Sequence, residues 1–254
     1  MLIDTHCHIY LKDFDWDRHE MLIRAENEGV MTFLMPAIDI STYGSMTDAE
    51  SSYPGKCFAM MGLHPCSVKS GFNDELAFVE KEMEARKFIA VGEIGLDFYW
   101  DKTFSNEQHI AFQRQLELAL QHDLPIVIHS RNSIDECIQT VKQNQKGNLK
   151  GVFHCFSGTA DQANQIIDLG FYLGIGGVVT FKNSGLDRVI KDVDMKHIVL
   201  ETDSPYLAPV PFRGKRNECS YLKYVVEKLS EIKELTKKEI EEVTTKNAKE
   251  LFNI

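Results

Sequence analysis

No stretch of the 254 residues approaches the ~18 consecutive apolar positions that a membrane-spanning helix requires, and no basic segment leading into an apolar one opens the chain. These absences predict a cytoplasmic protein without membrane contact. The six cysteines, Cys7, Cys57, Cys66, Cys137, Cys155 and Cys219, include no CxxC pair, so they read as reduced thiols rather than a disulfide frame. Positive charge is in deficit, with 28 Lys and Arg against 38 Asp and Glu and a net charge of −10. That sign excludes nonspecific coating of a nucleic-acid duplex, and any contact with a polyanion has to be local. No low-complexity run or Pro/Ser-rich linker divides the chain, and one domain over residues 1–254 is expected.

What the chain does have is a repeating alternation. Eight apolar runs occur, MLIDT (1–5), VMTFLMP (30–36), CFAMMGL (57–63), FIAVGE (88–93), PIVIH (125–129), GVFHC (151–155), FYLGIG (171–176) and HIVLET (197–202). Each is separated from the next by about the length of a crossover helix, which favours an α/β fold, a single (β/α)8 TIM barrel. An open doubly wound sheet is the alternative. The clearest helix follows Ser105, with Gln108 at capping-box spacing and Phe112, Leu116, Ala119 and Leu120 on one stripe. Residues 222–233 and 235–252 predict two closing amphipathic helices, the second capped by Thr236. Residues 41–54, with Gly44 and several Ser and Thr, form the weakest unit.

Metal-ligand side chains recur where these runs end. His6 and His8 are one residue apart and on a strand point to the same side, so they can bind one ion together, whereas Cys7 points away as a packed thiol. Glu93, flanked by Gly92 and Gly95, has two oxygens and is the best bridge if two ions are present. His129, His154 and Asp203 also terminate runs, and with Glu93 they supply a second position open to water or substrate oxygen. Asp203 can in addition take a proton from an attacking water. His64, after the third run, fits substrate contact or proton donation better than ligation. At the same rim Arg131, Lys182, Arg213, Lys215 and Arg216 offer phosphate binding. His19, His109, His122 and His197 carry no catalytic assignment.

The blocks DTHCH, GLHP, GEIGLDFY, QLELALQHDLPIVIHSR, GVFHCFSG, GGVVTFKNS and ETDSPYLAP followed by RGKRNE resemble the TatD family of metal-dependent hydrolases, in the amidohydrolase superfamily, in family order from residue 4 to residue 218. The resemblance implies a (β/α)8 barrel with two divalent ions (Zn, Mg or Mn). It places His6, His8, Glu93 and Asp203 around one ion and Glu93, His129 and His154 around the other, with His64 at the position associated with substrate phosphate. It further implies hydrolysis of DNA phosphodiesters, often from the 3′ end. Cys66 and Cys219 depart from the pattern, at the pocket rim and in the loop leaving it.

The expected function is therefore a metal-dependent deoxyribonuclease acting as a monomer on DNA ends or single-stranded DNA. Asp203, Glu93 and His64 would be catalytic, and His64, Arg131, Lys182 and Arg213 would bind substrate. Two alternatives are a metal-dependent hydrolase of a small-molecule amide, ester or lactone, and a metal-binding module without catalysis.

Overall fold

The eight runs are all strands in the computed structural model, which describes residues 1–254. They are β1 (Leu2–Asp4), β2 (Val30–Met35), β3 (Cys57–Ala59), β4 (Val91–Asp97), β5 (Ile126–Arg131), β6 (Gly151–Phe153), β7 (Tyr172–Ile175) and β8 (Ile198–Leu200). β1 to β3 pair in order, as do β4 to β8, and every pairing is parallel. Two seams join these groups. Met61 N donates to Ala90 O (3.1 Å) and Gly92 N to Met61 O (2.9 Å) between β3 and β4. Thr5 N donates to Leu200 O (2.9 Å), and Cys7 pairs with Ser204, between β1 and β8. The sheet thus closes into a barrel, which excludes the open doubly wound alternative.

Helices fill the crossovers: α1 (Arg18–Asn27), α2 (Ile40–Ser52), α3 (Phe72–Ala85), α4 (Ser105–His122), α5 (Ile134–Asn144), α6 (Ala160–Asp168) and α7 (Leu186–Asp192), followed by α8 (Leu222–Lys233) and α9 (Lys237–Phe252). α2 forms despite its weak propensity because Asp39 and Thr42 close a capping box at its start. Thr236 and Glu239 do the same for α9, which begins two residues beyond the expected start.

Val127, Val152 and Val199 precede His129, His154 and Glu201 by two residues and so share their inward face. With Ile3, Leu34, Met60 and Ala90 they fill the lower barrel, and Ala248, Leu251 and Phe252 of α9 plug its floor. The ligand-type residues therefore sit above a packed interior, at the end where the loops following the strands gather. No helix is long and apolar enough to cross a membrane.

Three expectations need correction. β4 runs Val91–Asp97, not 88–93, because its pairing with β5 continues past an irregularity to Asp97 opposite Arg131. Gly95 permits that approach, since a Cβ there would lie 2.1 Å from His129 O and its φ is 134°. Ser105 and Gln108 form no capping box. Gln108 is buried and turned inward, where its Oε1 accepts Asp97 N (2.9 Å) and its Nε2 donates to Asp97 O (3.2 Å). Leu120 is exposed and lies off the buried face that Phe112, Leu116 and Ala119 form.

Candidate metal centre

Six chain segments deliver one cluster. Glu93, at 2% exposure, lies at its middle with its two oxygens facing different partners. Oε2 is 3.1 Å from His6 Nε2 and 3.5 Å from His8 Nε2. Oε1 is 2.8 Å from His129 Nδ1, 2.9 Å from His154 Nε2 and 3.2 Å from His64 Nε2. Asp203 closes the first set, with Oδ1 3.6 Å from His6 Nε2 and 3.7 Å from His8 Nε2. It is held there by Asp203 N donating to His6 O (2.9 Å) and His8 N donating to Ser204 O (2.7 Å). Its φ of 56° is left-handed backbone, which costs a non-glycine residue ~1 kcal/mol or more.

Hydrogen bonds behind His8 and His129 decide which of their nitrogens faces the centre. Tyr10 donates its hydroxyl to Pro36 O (2.6 Å) and so accepts from His8 Nδ1 (2.9 Å), leaving His8 Nε2 as a bare lone pair. That lone pair lies 3.3 Å from His6 Nε2 and faces a carboxylate oxygen. Two acceptors so placed repel unless a cation lies between them. His154 Nδ1 lies 3.5 Å from Glu201 Oε1, and its ring stacks on that of His6 at 3.8 Å. His129 sets its second nitrogen, Nε2, 2.9 Å from Asp97 Oδ2. His6 Nδ1 and His154 Nδ1 are both buried without a hydrogen-bond partner, the latter facing Glu201 as a charge rather than through a hydrogen bond. This donor set of imidazoles and carboxylates fits divalent ions such as zinc or manganese.

His64 differs. Its Nδ1 accepts Cys66 N (3.0 Å), so in the neutral ring Nε2 carries the hydrogen and points at the cluster as a donor. Although it falls in one triad with Glu93 and His129, this tautomer is that of a donor to substrate rather than a ligand.

Electrostatics follow from burial and proximity. Burial works to raise Glu93, but His154, His64 and His6, with the His129 hydrogen bond, hold it well below the usual carboxylate range. Burial, reinforced by His154, pushes His6 well below an ordinary imidazole. Burial raises Asp203 to about 6 against the opposing pull of His154 and His8.

All the expected ligands, His6, His8, Glu93, His129, His154 and Asp203, are brought together. Of the cationic rim, Arg216 is committed elsewhere, its guanidinium binding both oxygens of Asp17 at 2.7 and 2.8 Å. Arg131, Lys182, Arg213 and Lys215 form no ion pair; Arg213 instead lies over the Phe181 ring at 4.5 Å. The six cysteines are unpaired, and Cys7 turns from the histidines toward Leu34 O (3.6 Å).

Sequence reasoning missed Glu201, Asp97 and Tyr10. Glu201 is wholly buried, its Oε1 accepting Cys155 N at 2.5 Å, and Gly174 makes room for it, since a Cβ there would meet Glu201 Oε2 at 2.3 Å. The signal was present in the two-residue spacing of Glu201 and Asp203, the same spacing that singles out His6 and His8.

Residues 3–253 match the family described as TatD related DNase. The chain belongs to the TatD family. Among TatD relatives, it is 38% identical over 255 residues to the uncharacterized metal-dependent hydrolase YabD of Bacillus subtilis, covering 100% of both chains. It is 31% identical to the putative deoxyribonuclease tatdn3 of Danio rerio, covering 99% of this chain and 97% of that one. The crystal structure of the TatD homologue YjjV of Escherichia coli superposes with a TM-score of 0.94 at 31% identity, over 100% of this chain and 98% of that one. The protein is accordingly a metal-dependent hydrolase of the TatD family with a TIM-barrel fold.

Proposed function

We propose that this TatD protein hydrolyses DNA phosphodiesters, removing nucleotides from the 3′ end of a single strand, with two divalent ions as cofactor. The division of the Glu93 carboxylate carries the reading: one oxygen faces His6 and His8, the other faces His129 and His154. His6, His8, Glu93 and Asp203 would hold one ion, and Glu93, His129 and His154 the other. Ions held there supply Lewis acidity toward a phosphoryl oxygen and lower the pKa of water.

The chain's own groups supply the rest. Asp203, the most solvent-accessible carboxylate of the cluster at 14% side-chain exposure, accepts the proton of the attacking water. His64 Nε2–H donates to a phosphoryl or leaving oxygen. Arg131, Lys182 and Arg213, free of carboxylate partners, hold the flanking phosphates.

The test is incubation of metal-stripped protein with end-labelled single-stranded DNA in magnesium, manganese or zinc, beside a Glu93→Ala control. A ladder shortening from the 3′ end and absent from the control is expected. Absence of cleavage with every ion refutes the reading and transfers the centre to a small-molecule amide, ester or lactone.

A further inference from the structure

One surface feature beside the centre takes no part in holding ions or moving protons. The loop after β4 exposes Tyr99 and Trp100 at 52% and 68%, large aromatic side chains left open on the barrel's mouth. Their rings meet edge to face, with centroids 5.0 Å apart. Arg131, at the end of β5, places its guanidinium 3.9 Å from the Tyr99 ring centroid and 5.2 Å from that of Trp100.

Arg131 ought to have had a carboxylate. Asp97 is its register partner across β4 and β5. The Asp97 side chain is turned away and fully used: Oδ2 lies 2.9 Å from His129 Nε2, while Oδ1 accepts Tyr99 N (2.9 Å) and Trp100 N (3.0 Å). One buried carboxylate therefore fixes both a ligand imidazole and the two aromatic residues, and it leaves the cation between them without a counter-ion.

We infer that Tyr99, Trp100 and Arg131 form a stacking platform for an unpaired nucleobase beside the phosphodiester being cut. The inference rests on the phosphodiester reading. Exposed aromatic faces joined to an unpaired guanidinium suit a flat, electron-rich ring next to a phosphate, because every base offers a π-face and Arg adds cation–π attraction and phosphate hydrogen bonds. Bases in an intact duplex are stacked on one another and present no such face.

The two tryptophans of the chain, Trp16 and Trp100, make the test direct. In a Trp16→Phe background, Trp100 is the only indole reporter. Metal-loaded protein is titrated with a thymidine tetranucleotide carrying phosphorothioate linkages, which slow cleavage, and with an abasic tetramer of the same linkages and charge. The expected result is quenching of Trp100 by the base-bearing tetramer and little by the abasic one, with affinities differing on the order of tenfold. Tyr99→Ala and Arg131→Gln should each erode that preference several-fold. In competition binding, Trp100→Leu should lower the ratio of the two affinities on the order of tenfold.

Equal binding of the two tetramers, or a ratio untouched by all three substitutions, overturns the inference. Equal weakening of both ligands, as a merely structural role would give, also overturns it. Base-dependent quenching in a protein that cuts no phosphodiester leaves the platform standing and refutes the hydrolytic reading instead.

Discussion

Replacing Glu93 with Gln keeps the shape of the side chain and removes its charge. The carboxylate is 2% exposed, and its oxygens approach five imidazole nitrogens between 2.8 and 3.5 Å, so no solvent replaces it. At an effective dielectric of ~20, a unit charge pair ~4 Å apart is worth ~4 kcal/mol. Losing that term toward a bound cation lowers metal affinity by roughly three decades. Because Glu93 stands between both histidine sets, the loss should fall on both ions rather than on one. The assay is competition against a chelator of known affinity, with metal content measured after dialysis and circular dichroism confirming the fold. Two equivalents of metal bound by a folded Glu93→Gln variant at undiminished affinity would refute the bridging role, and loss of one ion alone would assign Glu93 to a single position.

Three further outcomes are expected. Glu201→Gln weakens the hold on His154 and should lower metal affinity by ~10- to 100-fold, read by the same competition; no change would show that Glu201 does not orient that ring. His64→Ala should cut kcat by roughly 10²–10⁴ with metal stoichiometry retained, whereas loss of an equivalent of metal would make His64 a ligand rather than a donor. For pH the sign follows from the ligands that must lose a proton before binding: Asp203, which burial raises to about 6, and His129 and His154, which, despite the opposing effect of burial, neighbouring carboxylates hold above an ordinary imidazole, so affinity already falls as the pH drops toward 6. Below that, affinity falls up to ~10-fold per pH unit from Asp203 alone, as binding must displace the proton. A metal affinity constant from pH 7.5 to 5 would contradict this assignment.

The sequence by itself determined the fold and which ligand-type side chains gather at the barrel mouth. Eight apolar runs at crossover spacing leave few parallel topologies, and ligand residues at their C-terminal ends are carried to one mouth by closure alone. Local pattern also fixed the caps at Thr236 and the spacing of His6 and His8. It missed what depends on contacts between distant segments. Gln108 looked like a cap residue, yet the Asp97 backbone, brought beside it by the β4–α4 packing, competes successfully for its amide. Glu201 drew no assignment from its position, because its role depends on Gly174 of the neighbouring strand, which opens space for its carboxylate next to His154. Only the tertiary structure decided the tautomer of His8 and the orientation of His129, because the Tyr10 hydroxyl is turned by distant Pro36 O and the far nitrogen of His129 meets Asp97 on the neighbouring strand. It also decided that Arg216 is structural while Arg131 is free: ion pairing is settled by which carboxylate lies within reach after folding, and sequence proximity does not encode that distance.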